Sequence, residues 1–233
     1  MKTVLITGAN GGIGFACVKI FLASGYDVIA HYNKCNNNLI RLESKNLRLV
    51  EANFEELNQL QNIFSSYASQ IDIIINNAGY LEAKHCIEEM QEEQFDKTLS
   101  INFKAPLKLI QLCYPYLKKK RWGRIINISS IGVKFHGSAT TPDYTLTKHL
   151  LEELSSMFAK RGAEYNILVN TIRVGVTDTS LHKGRDVDMS SRIEMIPLKR
   201  MAYPEEIAKS IYYLASDSGD YITGTTLTVA GGE

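Results

Sequence analysis

Apolar residues recur along this chain in two rhythms. Short, near-continuous runs lie at Lys2–Thr7, Asp27–Tyr32, Leu47–Ala52, Ile71–Ile75, Arg124–Ile128, Ile167–Ile172 and Leu227–Val229. Such runs, rich in Val and Ile, suit strands of a sheet covered on both faces. Between them, apolar residues are spaced three and four apart, the period of a helix face. Phe15, Val18, Phe21 and Leu22 form one face, with Gly25 placed as its stop. Leu57, Leu60, Ile63, Phe64 and Tyr67 form another within Glu55–Ser69. Further helices are expected over Leu39–Lys45 and over Gln91–Lys120, the latter lightly broken near Pro106 and Pro115. A helix from Asp143 carries Leu150, Leu151, Leu154 and Phe158 as a core stripe, and Pro204–Leu214 supplies the last. Strands and helices alternate throughout, which predicts an α/β fold: a doubly wound parallel sheet of about seven strands with helices on both faces.

Composition narrows the picture. A chain of 233 residues fits a single domain over 1–233. Its 26 basic and 25 acidic side chains nearly cancel, so no global field attracts nucleic acid or an anionic membrane. Cys17, Cys35, Cys86 and Cys113 are scattered without a C-x-x-C pair, and the histidines do not cluster, so no metal site is expected. The apolar run Val4–Ile6 is too short for an export signal, and no run approaches the roughly 18 residues of a membrane span. A cytoplasmic protein with free thiols is the expectation.

The chemistry-bearing residues sit at the ends of the predicted strands. Gly8-Ala9-Asn10-Gly11-Gly12-Ile13-Gly14 falls between the first strand and the first helix. In that context glycines allow a sharp turn and close approach of phosphates, and a helix N-terminus offers free N–H groups. The fingerprint of a dinucleotide site usually includes a carboxylate at the end of the second strand, taking the ribose 2′-OH. Here that place holds His31, Tyr32, Asn33 and Lys34, while Asp27 sits at the opposite end of the strand. With no carboxylate to repel a 2′-phosphate, and Asn33 and Lys34 able to donate to one, the reading leans to NADP(H) over NAD(H). Asn53, after the third strand, is placed to meet the adenine amino group. Asn76-Asn77-Ala78-Gly79 ends the fourth strand in small residues that let a cofactor pass close to the backbone.

The fifth strand delivers Ser129 and Ser130, and Tyr144 and Lys148 follow at i,i+4 on one helix face. An ammonium near a phenol favours the phenolate, and an opposite charge at that range moves a pKa by roughly 1–3 units. With Ser130 holding a carbonyl oxygen beside Tyr144, the set resembles an acid/base device. Asn102 lies between Ile101 and Phe103, and a buried Asn most simply caps or bridges backbone.

Five motifs in this order, Thr7–Gly14, Asn76–Gly79, Asn102, the serine of INISS and YTLTK, resemble the short-chain dehydrogenase/reductase family over nearly the whole chain. The subgroup approached is that of the 3-oxoacyl-[acyl-carrier-protein] reductases. The resemblance implies a Rossmann-type fold and hydride transfer between a nicotinamide and a carbonyl or alcohol. Tyr144 would be the proton donor, Lys148 would hold the nicotinamide ribose and lower the pKa of Tyr144, and Ser130 would hold the substrate oxygen. Asn102 would position a relay water. The dinucleotide would lie along Gly8, Asn10, Gly12, Ile13, Gly14, Asn33, Lys34, Asn53, Asn77, Ala78, Gly79, Tyr144, Lys148, Thr177 and Thr179.

Departures from the family pattern include Val174-Gly175 for Pro-Gly, Asn53 for the frequent aspartate, and no basic residue before Gly12. The segment 180–201, with His182, Lys183, Arg185 and Arg192, reads as a substrate lid. The substrate is expected to be a small or acyl-carrier-bound carbonyl, first a 3-oxoacyl thioester, otherwise a sugar or other hydroxy compound. A carrier protein would meet the basic Lys118–Arg121 end. A homodimer or homotetramer is implied. A non-catalytic nucleotide-binding regulator and a sugar-nucleotide epimerase are the competing classes, the first disfavoured by an intact Ser–Tyr–Lys set and the second by the short tail.

Overall fold

In the computed structural model the described residues are 1–35, 37–81, 85–137, 140–179 and 188–233. Strands β1 (Thr3–Ile6), β2 (Asp27–Tyr32), β3 (Leu47–Glu51), β4 (Ile73–Asn76), β5 (Gly123–Ser130), β6 (Ile167–Val174) and β7 (Thr226–Val229) form one sheet of order β3-β2-β1-β4-β5-β6-β7. Every pairing is parallel. Successive side chains alternate between faces. Val4, Ile6, Val28, Ile75 and Ile126 therefore pack toward helices α1 (Gly12–Ala23) and α7 (Pro204–Ala215). Leu5, Ile29, Ile74, Ile125 and Val169 pack toward α2 (Leu57–Ser65), α4 (Ala105–Lys120) and α5 (Pro142–Gly162). Both faces being covered explains why the central strands β1 and β4 are nearly all apolar, while the edge strands β3 and β7 are partly exposed. Each such side chain contributes about 1.5–3 kcal/mol by leaving water.

The winding reverses between β1 and β4, which sit side by side in the middle of the sheet. Their following segments depart in opposite directions, and a crevice opens beyond the strand ends. Among the described residues, no helix is long and apolar enough to cross a membrane, and no cluster of His, Cys, Asp and Glu could hold a metal ion.

Four local expectations change. Leu39–Lys45 forms only a 3-10 turn at Leu39–Arg41, where Leu39 is the one buried anchor, too little to offset helix nucleation. The amphipathic stretch at Glu55–Ser69 is helical over Leu57–Ser65 alone. The long helical stretch does break, but through a π turn at Ser100–Lys104 between α3 (Glu92–Leu99) and α4. Pro106 sits in the first turn of α4, where its missing N–H costs nothing, and Pro115 lies inside the helix. Finally, Leu151 and Leu154 belong to the core, but Leu150 is 42% exposed, on an outer face of α5 with Leu146 and Met157. A short helix, α6 (Met189–Glu194), was not expected; Asp188 starts it by accepting from Ser190 and Ser191 N–H groups.

Candidate active site

The glycine turn leaves β1 and closes against the end of β4. Gly8 has φ +62°, and a Cβ there would come within 2.9 Å of the Ala78 Cα, so only glycine serves both the left-handed backbone and the close contact. Asn77 Nδ2 donates to Thr7 O at 2.9 Å and Gly8 O at 3.2 Å. In return Thr7 Oγ1 accepts from the Asn77 and Ala78 N–H groups at 3.0 and 2.9 Å. The two turns thus hold each other. Gly11 stands at the N-cap of α1 without a side chain to cap it, leaving the first-turn N–H groups to an external acceptor.

A cavity of about 1340 Å³ runs from this turn across the strand ends. Gly8, Asn10, Gly12, Ile13 and Gly14 form its floor at one end, and Asn33 and Lys34 flank them from the end of β2. Asn77, Ala78 and Gly79 line its middle. Ser130, Tyr144, Lys148 and Thr177 line it as well, and Thr179 lies back against the glycine turn, its Cγ2 2.6 Å from where a Cβ on Gly12 would stand.

Lys148 is buried, with Nζ donating to Ile128 O at 2.7 Å and lying 5.5 Å from the Tyr144 ring centroid. Burial lowers its pKa to about 8, so it stays mostly charged at neutral pH. Ser130 Oγ accepts from Gly132 N at 3.2 Å, which turns the chain after β5 and leaves the hydroxyl proton to donate. The other member of the serine pair is committed elsewhere. Ser129 Oγ donates to Glu152 Oε1 at 2.6 Å, and Arg173 grips both oxygens of Glu152 at 2.8 and 2.6 Å. A phenol, a buried ammonium and a hydroxyl with its proton free to donate therefore share one cavity with the glycine turn.

Residues 8–233 match the family model described as enoyl-(acyl carrier protein) reductase. A 3-oxoacyl-[acyl-carrier-protein] reductase of Thermotoga maritima is 31% identical, over 99% of this chain and 97% of that protein. The chain belongs to the short-chain dehydrogenase/reductase family. An acetoacetyl-CoA reductase of Acinetobacter is likewise 31% identical, with 99% of this chain and 97% of its own covered. Among solved structures, a 4-hydroxyisoleucine dehydrogenase complexed with NADH superposes with a TM-score of 0.91 at 30% identity, covering 100% of this chain and 98% of that one. The protein is an NAD(P)-dependent oxidoreductase acting on CH–OH or carbonyl groups.

Two expected site residues of this short-chain dehydrogenase/reductase stand apart from the cavity wall. Asn53 Oδ1 accepts from the Glu55 N–H at 3.1 Å, starting the turn into α2. That bond takes one of the two lone pairs of the oxygen expected to receive an adenine amine, and Asn53 is not among the residues lining the cavity. Asn102 is fully buried in the π turn. Its Oδ1 accepts from Tyr80 N at 2.7 Å, and its Nδ2 donates to Tyr80 O at 2.8 Å and Thr147 Oγ1 at 3.1 Å. It bridges backbone and ties α5 to the π turn. A Cβ on Gly79 would lie 3.6 Å from Lys148 Nζ and 3.8 Å from Asn102 Oδ1, so Gly79 separates the two.

Of the pair Val174-Gly175, the glycine is required by packing: a Cβ there would meet the Ala230 Cα at 2.7 Å, so this turn lies directly on the tail. Of the expected lid, 180–187 with His182, Lys183 and Arg185 lie outside the described residues. Its remainder includes α6, whose Arg192 pairs with Glu233, and both side chains line the cavity. The Glu152–Arg173 pair and the Glu233 partner had no sequence signal, because each joins residues remote in the chain.

Proposed function

We propose that the protein reduces a 3-oxoacyl thioester or a similar ketone with NADPH, Tyr144 acting as general acid. The observation that carries this reading is the convergence of Ser130, Tyr144 and Lys148 on the cavity that begins at the glycine turn. The residues present suit a dinucleotide: an uncapped helix N-terminus for its diphosphate, and small residues at Asn77–Gly79 along its path. The nicotinamide supplies the hydride; the chain supplies orientation, a proton and electrostatics. Ser130 donates to the carbonyl oxygen, fixing it beside the Tyr144 hydroxyl. Tyr144 gives its proton as negative charge develops on that oxygen. Charged Lys148 stabilises the phenolate left behind, and Asn102 holds α5 in place through Thr147, the residue before Lys148. General acid catalysis of this kind contributes on the order of 10²–10⁴-fold.

The preference for NADP(H) over NAD(H) is supported by Asn33 and Lys34 lining the cavity after β2, where Tyr32 and Cys35 beside them bring no carboxylate. An acyl substrate is supported by the apolar wall that Phe135, Met189 and Met195 give the far end. The Arg192–Glu233 pair in that wall supports the second reading, a small hydroxy compound able to pair with both. The exposed stripe of Leu146, Leu150 and Met157 on α5 supports a homodimer or homotetramer. A carrier protein would meet Lys118 and Arg121, which stack on Tyr165 at 4.1 and 5.9 Å. We take the chain as one domain, working in the cytoplasm.

The test is NADPH oxidation with an acetoacetyl thioester, an uncharged diketone and a keto sugar as substrates. Turnover is expected to be fastest with the thioester. Tyr144→Phe is expected to lower kcat by at least about 10³-fold while NADPH affinity stays within a few-fold. Retained turnover in Tyr144→Phe removes the proposed acid.

A further inference from the structure

His31 is the one polar side chain buried within β2, 3% exposed, and the chemistry above does not use it. Its ring stacks on Phe54 with centroids 3.9 Å apart and planes at 7°. Its two nitrogens face opposite kinds of group. The Gly8 N–H points at Nδ1 at 3.2 Å, and the Ala52 carbonyl oxygen lies 2.9 Å from Nε2. An N–H can only donate and a carbonyl can only accept, so Nδ1 must carry the lone pair and Nε2 the proton. The backbone takes part too: His31 O accepts from the Ala9 N–H at 2.8 Å. One residue thereby receives the first two N–H groups of the glycine turn. Asn77 holds the Thr7 and Gly8 carbonyls from the other side, so the left-handed Gly8 is clamped between β2 and the end of β4.

We propose that His31 is a positioning residue for the dinucleotide: as the neutral Nε2–H imidazole it accepts from the Gly8 N–H and holds the glycine turn in the shape that receives the diphosphate. Burial lowers the imidazole pKa to about 4, so the lone pair on Nδ1 is kept throughout the neutral range. Without that acceptor the Gly8 N–H is a partly buried donor that has lost its partner, and a turn that shifts to find water no longer presents the first-turn N–H groups of α1 together. A histidine that only filled the core would not care which nitrogen is protonated.

This inference rests on the glycine turn being the cofactor seat, and the experiment separates the two. His31→Asn keeps an acceptor close to the position of Nδ1 and loses the reach to Ala52. His31→Gln can reach Ala52 and places no acceptor at Gly8. With both variants folded by circular dichroism, NADPH is expected to bind His31→Gln about ten-fold more weakly than His31→Asn, while kcat at saturating NADPH stays within about two-fold of wild type in both. Equal affinities, or weaker binding by His31→Asn, overturn the proposal. Independently, ¹⁵N NMR of the wild-type protein at pH 7 is expected to find His31 as the Nε2–H tautomer, assigned by the signal lost in the variants. An Nδ1–H ring overturns the proposal as well. Should the wild type bind neither NADPH nor NADH, the cofactor reading fails, and the tautomer still decides whether His31 holds Gly8.

Discussion

A buried cation with no ion-pair partner among the described residues is a cost to the fold, and Lys148 is such a cation. Its pKa falls from the usual 10.5 to about 8. A basic group depressed on folding destabilises while it is charged: the penalty is full below about pH 8 and fades as pH climbs toward 10.5. Lys148→Met, of similar length and no charge, is therefore expected to raise stability at pH 7. After the lost bond to Ile128 O, the net gain is on the order of 1–2 kcal/mol. Turnover is expected to collapse in the same variant. Urea unfolding at pH 7 and pH 10 checks the sign, since the gain shrinks at the higher pH. Lys34 is a simpler residue, an exposed amine at the cavity rim. Lys34→Asp is expected to lower the NADPH-to-NADH ratio of kcat/KM by roughly ten-fold, because a carboxylate repels a 2′-phosphate and accepts from a free 2′-OH. An unchanged ratio takes Lys34 out of cofactor selection.

At the scale of elements, the strands and the principal helices were readable because burial on both faces leaves long apolar runs and helices keep their period. The Tyr144–Lys148 pairing was readable for the same reason, as an i,i+4 relation inside one helix. What escaped was set by contacts between elements. The break before α4 was expected at prolines, yet it falls at Asn102, whose side chain is held by Tyr80 and Thr147. Thr98 and Asn102, one turn apart, bond to Asp143 and Thr147, one turn apart on α5. Each rung precedes a candidate site residue, Tyr144 or Lys148, so the end of α3 and the π turn together fix the register of that helix. Asn53 has a local use that its place after a strand did not announce: its short amide binds its own backbone two residues on. His31 was noted only as standing where a carboxylate is usual, and its stacking on Phe54 and its bonds to Gly8 and Ala52 join residues that no local period relates.

For the whole molecule, the outer stripe of α5 is the open question that packing raises. Leu150 was expected in the core and is 42% exposed, in line with Leu146 at 42% and Met157 at 57%. We expect a second copy of the chain to cover it. Leu150→Glu is expected to shift the mass measured by light scattering toward the monomer, with the far-ultraviolet circular dichroism unchanged. A wild-type protein that is already monomeric refutes this use of the stripe. The amino-acid order by itself determined the alternation of strand and helix, the glycine turn at the first switch from one to the other, and the Tyr–Lys spacing, because each is a relation between residues near in the chain. Only the tertiary structure decided that His31 faces inward onto Gly8, that Asn102 ties two helices, that Ser130 rather than Ser129 keeps a free proton, and that Arg192 meets Glu233. Those depend on which remote groups a side chain reaches once the sheet is wound, and no local period encodes them.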